Sequence, residues 1–202
     1  MDTRPDTKPS SQGSRREVTK AHNREIILEA ARQVFAQLGF AAATVRDIIR
    51  ATPLASGTFY NYFKSKEQVY QALRDEEALA IRPRLREVRA SAGNAQDFLA
   101  VSFRTFFWFV AEHGTGSSGD RFRLDSPEVM AGFAELREDI EQAMARGLLP
   151  PADAALLTAA LAGVAFELAE EVRQGAEVEK VAGFATALFL GGIGALPKSQ
   201  TV

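Results

Sequence analysis

The stretch TPLASGTFYNYFKSKEQVY, residues 52–70, interleaves aromatic and branched apolar residues with Ser56, Thr58, Asn61, Lys64 and Lys66. Phe59 and Phe63 stand four apart and so share one face of a helix. With Leu54 they can lock that helix against Val34, Phe35, Ile48 and Ile49. The opposite face then carries Ser56, Thr58, Asn61 and part of Tyr60 and Tyr62, and Gly57 keeps its profile low. Short hydrogen-bonding side chains on a rigid helix suit the major groove of a duplex, whose base edges are read at close range. Lys64 and Lys66 suit phosphates, which position a protein without reading sequence. A solvated face over an aromatic core would use the same residue types, and periodicity alone leaves both roles open.

Elements on either side must hold this segment. Residues 1–18 have little to bury and read as a mobile tail, with Arg15, Arg16 and Lys20 near its end. From Thr19 the spacing of Ile27, Ala30, Ala31, Val34, Phe35 and Leu38 is that of an amphipathic helix, stopped at Gly39. Thr44 with Asp47 three residues on is a capping signal for a second, short helix, ended before Pro53. A third is expected over 55–62, and Ser65 with Gln68 opens a fourth that runs to about Ile81, where Pro83 should kink or interrupt it. Further helices are expected over 97–113, from Ser126 to Gly147, and over 152–174 and 177–192, with 114–120 (GTGSSGD) a loop. No alternating strand pattern occurs, so the fold class is all-α, with about nine helices.

Composition narrows the function. The chain has 202 residues, 46% apolar and 25% charged, which is ordinary for a globular protein. It has no cysteine, and His22 and His113 are far apart, so no metal site or cofactor is expected. No apolar signal opens the chain, and a cytoplasmic location is expected. Net charge is −2, but residues 1–75 hold 12 basic against 8 acidic side chains, whereas the remainder holds 12 against 18. A basic front and an acidic back suggest that the front meets a polyanion.

Segment 24–70 resembles the DNA-binding domain of the tetracycline-repressor (TetR) family of bacterial transcriptional regulators. AARQVFAQLGF, TVRDIIRAT and above all SGTFYNYFKSKEQVY carry the resemblance. It implies a helix-turn-helix domain over 19–66 and a ligand-binding and dimerisation domain over 67–197. It also implies that Thr44 caps the second helix and touches phosphate, and that Arg46 reaches a base or phosphate. Ser56, Gly57 and Thr58 would face bases, Tyr60, Asn61 and Tyr62 would line the side meeting the backbone, and Lys66 would grip a phosphate. Two residues depart from the family pattern. Pro53 stands where the glycine of the turn is usual, and proline cannot adopt positive φ. Ala55 replaces the usual Ser, removing a capping oxygen that Ser56 could supply one residue later.

By the same resemblance the central helices enclose a small-molecule pocket. Phe103, Phe106, Phe107 and Val110 are candidates to line it, with Trp108 and Phe109 on neighbouring faces and Arg104, Thr105 and Glu167 as its polar groups. An apolar or aromatic effector would suit such a wall; plain core packing is the alternative for these aromatics. The family's dimer packs its last two helices into a four-helix bundle, for which Leu161, Phe166, Leu168, Phe184, Leu188 and Phe189 are the candidate contacts. Residues 181–197 are uncharged up to Pro197, but glycine-rich and at the lower limit for a membrane span, so no membrane partner is expected. The expected function is a homodimeric, ligand-responsive repressor on a palindromic operator. The alternative is a helical carrier or sensor of apolar ligands that does not act through specific DNA binding. No phosphate loop or catalytic constellation points to an enzyme.

Overall fold

The computed structural model describes residues 11–113 and 126–193, and the expected loop over 114–120 lies outside them. The described residues form eight helices and no strand: α1 Ser11–Ala42, α2 Val45–Arg50, α3 Ser56–Tyr60, α4 Lys66–Ala90, α5 Ala95–His113, α6 Pro127–Ala145, α7 Ala154–Arg173 and α8 Val178–Ile193. The all-α reading holds. Helix α1 begins at Ser11, so residues 11–18, read from sequence as tail, are helical, and residues 1–10 lie outside the described part.

Local chemistry sets the boundaries. Gly39 has φ 73 and ψ 156, a conformation open essentially to glycine alone, and it breaks the rod of α1 before a last short turn. Asn94, read as a break, is the cap of α5: its side-chain oxygen accepts from the Asp97 amide at 2.8 Å. Ser126 and Asp153 cap α6 and α7 in the same way. Both helices end in a Schellman turn at a positive-φ glycine, Gly147 and Gly175. Pro83 does not interrupt α4, which continues to Ala90. Pro83 and Leu79, whose carbonyl loses its amide partner, both lie on the exposed side, where water can replace the bond.

Two cores result. The head, α1 to the start of α4, buries Ile27, Leu28, Phe35, Ile48, Phe59 and Tyr70. The body, α5 to α8 with the rest of α4, buries Phe98, Phe103, Phe107, Ile140, Leu161 and Ala185. Helix α4 belongs to both. Near its start Glu76 bridges two arginines of α1, Arg24 at 2.7 Å and Arg32 at 2.6 Å. Further on, Arg82, Arg86 and Arg89 pair in order with Glu135, Glu138 and Asp139 of α6, so these two helices run parallel.

Candidate nucleic-acid face and ligand cavity

In the head, Thr44 and Asp47 close a reciprocal capping box. The Asp47 amide donates to Thr44 Oγ1 at 3.3 Å, and the Thr44 amide and hydroxyl donate to Asp47 Oδ2 at 2.9 and 2.6 Å. These donors from Thr44 hold the Asp47 carboxyl below its usual range. The turn that follows needs no glycine. Ala51 ends α2 in a right-handed conformation, the Thr52 hydroxyl donates to the Ile49 carbonyl at 2.9 Å, and it accepts from the Leu54 amide at 3.2 Å. Pro53 therefore sits in a turn tied by a threonine side chain, and no residue other than glycine has positive φ among the described residues. Helix α3 starts after Ala55 without a side-chain cap, so Ser56 does not take over that role.

Phe59 and Phe63 are buried and Leu54 is half-buried, anchoring α3 as its spacing required. Ser56, Gly57, Tyr60 and Asn61 are exposed, while Thr58 and Tyr62 are half-buried. A Cβ on Gly57 would meet nothing within 4 Å, so the approach to α3 is open there. Arg46 and Lys64 are exposed, and neither forms an ion pair among the described residues. Lys66 departs from its assignment. Its ammonium donates to the carbonyls of Phe40, Ala41 and Ala43 at 2.7, 3.1 and 2.9 Å and lies 4.5 Å from the centre of the Phe40 ring. All three of its N–H donors are taken, so in this structure the residue read as a phosphate grip caps the end of α1.

A cavity of about 130 Å³ opens between α4, α5, α6 and α7. Of the candidates, Phe103, Phe106 and Val110 line it, and so does Phe109, expected on a neighbouring face. Phe107 is fully buried behind Phe103, its ring stacked at 5.9 Å, and does not reach the cavity. Arg104 and Trp108 point outward and donate to Glu179 of α8 at 3.0 and 3.2 Å, which holds the Glu179 carboxyl below its usual range. Glu167 is exposed on α7, and neither it nor Thr105 lines the cavity.

Two residues assigned to a dimer contact line it instead: Leu161 is buried in the body, and Phe166 meets Phe106 and Phe133 edge-on at 5.6 and 5.9 Å. Phe189 is half-buried and stacks on Phe103 at 5.8 Å. Leu168 is half-buried, whereas Phe184 and Leu188 are 61% and 51% exposed on α8. Leu156 of α7, not foreseen, is 71% exposed.

The wall also has polar members that sequence reasoning missed: Arg74, Glu77, Arg82 and Arg89 of α4, Ser102 of α5 and Glu135 of α6. With Ala78, Ile81 and Leu85 between them, the four on α4 mark one helical face that could have been read, but only an apolar stripe was sought there. Arg82 forks onto Glu135, Nε to Oε2 at 3.0 Å and Nη2 to Oε1, which holds the Glu135 carboxyl below its usual range. Among the described residues no His, Asp and Glu cluster could hold a metal ion, and no helix is long and apolar enough to cross a membrane.

Comparison with known proteins agrees with the head's geometry. Residues 27–73 match the family model described as bacterial regulatory proteins, tetR family. Over 130 residues the chain is 31% identical to the HTH-type transcriptional repressor NemR of Escherichia coli (strain K12), covering 64% of this chain and 63% of that protein. Among solved structures, the fatty acid degradation regulator FadR from Bacillus halodurans superposes with a TM-score of 0.69 at 24% identity, over 85% of this chain and 96% of that one. FadR from Bacillus subtilis, solved in complex with stearoyl-CoA, gives a TM-score of 0.67 at 22% identity, over 84% and 98%. These two likenesses are of fold. Through its head, residues 27–73, the chain is similar to the tetR family of bacterial regulatory proteins, and it spans just under two thirds of the length of the curated repressor it matches.

Proposed function

We propose that the chain is a sequence-specific DNA-binding transcriptional regulator that works as a homodimer in the cytoplasm and represses until a small apolar or aromatic effector fills its cavity. The observation that carries this is α3: a helix clamped by Phe59 and Phe63 that presents Ser56, Gly57, Tyr60 and Asn61 to solvent. Arg46 and Lys64 flank it as free cations for phosphates. Two such helices in a dimer would enter successive major grooves about 34–36 Å apart on a palindromic site. The 31% identical repressor supports repression as the direction of control.

For the dimer, the support is an apolar outer face. Leu156, Phe184 and Leu188 are exposed there among small residues, including Gly163, Gly183 and Ala187, that let helices approach closely. For control, the support is α4, which Glu76 ties to α1 and whose next turns line the cavity. An effector acts by binding one head spacing better than the other, and only to the extent of that difference.

The test is fluorescence anisotropy with duplex from upstream of the protein's own gene against shuffled duplex of equal length, at low and moderate salt. A preference for the upstream duplex of about a thousandfold, weakening with salt, is the expected result. Equal, weak binding to both would contradict the reading and favour a carrier of apolar ligands.

A further inference from the structure

We infer that the cavity is built for an apolar carboxylate, with Arg89 receiving the ligand's carboxylate and the phenylalanines its tail. This rests on the reading of the cavity as an effector site and names the chemistry that site would take. Arg89 is only 9% exposed, lies in the cavity wall, and carries a charge that burial disfavours.

Its five N–H donors are poorly spent. Nε donates to Ser102 Oγ at 3.2 Å and Nη1 to Asp139 Oδ2 at 3.2 Å, both long for charge-assisted bonds. The Ser102 hydroxyl is itself committed to the Phe98 carbonyl at 2.6 Å. Three guanidinium N–H groups have no acceptor among the described residues. The other two arginines of the wall differ: Arg82 is forked onto Glu135 and Arg74 is paired with Glu77 at 2.9 Å. Arg89 is thus the most deeply buried arginine of the wall and the one held by the longest bonds.

Charge and shape agree. The wall holds Arg74, Arg82 and Arg89 against Glu77 and Glu135, one positive charge in excess. Asp139, which offsets Arg89, stands behind it and does not line the cavity. A planar guanidinium with free N–H groups takes a carboxylate in the forked geometry that a hydroxyl or an alkyl end cannot reproduce. Phe103, Phe106, Phe133 and Phe166 enclose the space that remains, a wall for a tail rather than for a second polar group.

The test uses N-phenyl-1-naphthylamine, an uncharged dye that brightens in apolar surroundings, displaced from the full chain by decanoate or by 1-decanol. Decanoate is expected to displace it at about tenfold lower concentration than decanol. In Arg89→Met the dye should still bind while that preference disappears. Asp139→Asn, which removes the competing carboxylate and keeps its shape, should tighten decanoate and leave decanol unchanged, and it serves where the methionine variant fails to fold. Equal displacement of bound dye by the two competitors would overturn the assignment of Arg89 and leave the cavity standing as an effector site. Failure of dye and both competitors to bind would overturn both.

Discussion

Phenylalanines build both halves of this molecule, to different ends. In the head, Phe35, Phe40 and Tyr70 close on one another with ring centres 4.8 to 5.8 Å apart, and Phe35 is wholly buried. In the body, Phe103, Phe106, Phe133 and Phe166 stand around an opening instead of filling it. The head is solid, and α3 is held on it by the buried Phe59 and Phe63. The body is hollow, and a hollow core forgoes contacts that a filled one would have. Its arginine–carboxylate ladder between α4 and α6 spans the gap that side-chain packing leaves open.

The comparison can be broken by truncation. Phe35→Ala should cost about 3–5 kcal/mol in thermal or urea unfolding, since nothing can collapse into the space. Lys66→Met should cost about 1.5–3 kcal/mol by leaving the carbonyls of Phe40, Ala41 and Ala43 without their shared donor. It should also leave the salt dependence of DNA binding unchanged, where loss of a phosphate contact would lower the slope by about one unit. A changed slope would return Lys66 to the phosphate role. Gly39→Ala should cost about 1–3 kcal/mol through backbone strain alone, read in the same unfolding experiments.

Phe106→Ala, on the hollow side, should cost only about 1–2 kcal/mol, because that ring is half-buried and already faces open space. A loss equal to that of Phe35→Ala would mean the body is as tightly filled as the head. The smallest effect concerns acid. Arg82 depresses the folded Glu135 carboxyl, so this pair stabilises above the ordinary glutamate range and the contribution is lost as pH falls through the folded value. Glu135→Gln should therefore flatten the acid limb of the stability profile. Asp139 acts in the opposite sense, since burial raises its carboxyl despite Arg89, and its contribution is lost as pH rises.

The head was legible in sequence because its signals are local. Thr44 with Asp47, Ser65 with Gln68, Gly39, and Phe59 with Phe63 each act within four residues or at a single φ. The carbonyl partners of Lys66 were not legible because they lie more than twenty residues earlier, and spacing does not say which end of a helix folds back onto a lysine. The body's helices were legible for the same reason as the head's. Its cavity was only half so: α5 was found, but the opposite wall comes from α4 and α6, and a face rich in Arg and Glu reads as solvent-facing. On α7 and α8 the apolar residues split between interior and exterior, and a mostly apolar helix has no polar stripe to say which is which. Phe166 went inward and Phe184 outward.

The central claim is that the exposed side of α3 reads DNA. The direct measurement is the anisotropy titration of upstream and shuffled duplexes with the wild type and with the Ser56→Ala, Asn61→Ala double variant. Both side chains are exposed and bond to nothing else among the described residues, so the fold should be untouched. The account predicts that the variant keeps the wild-type melting temperature and its weak, salt-sensitive binding but loses most of its preference for the upstream duplex. An undiminished preference would mean that sequence is read elsewhere and would contradict the claim.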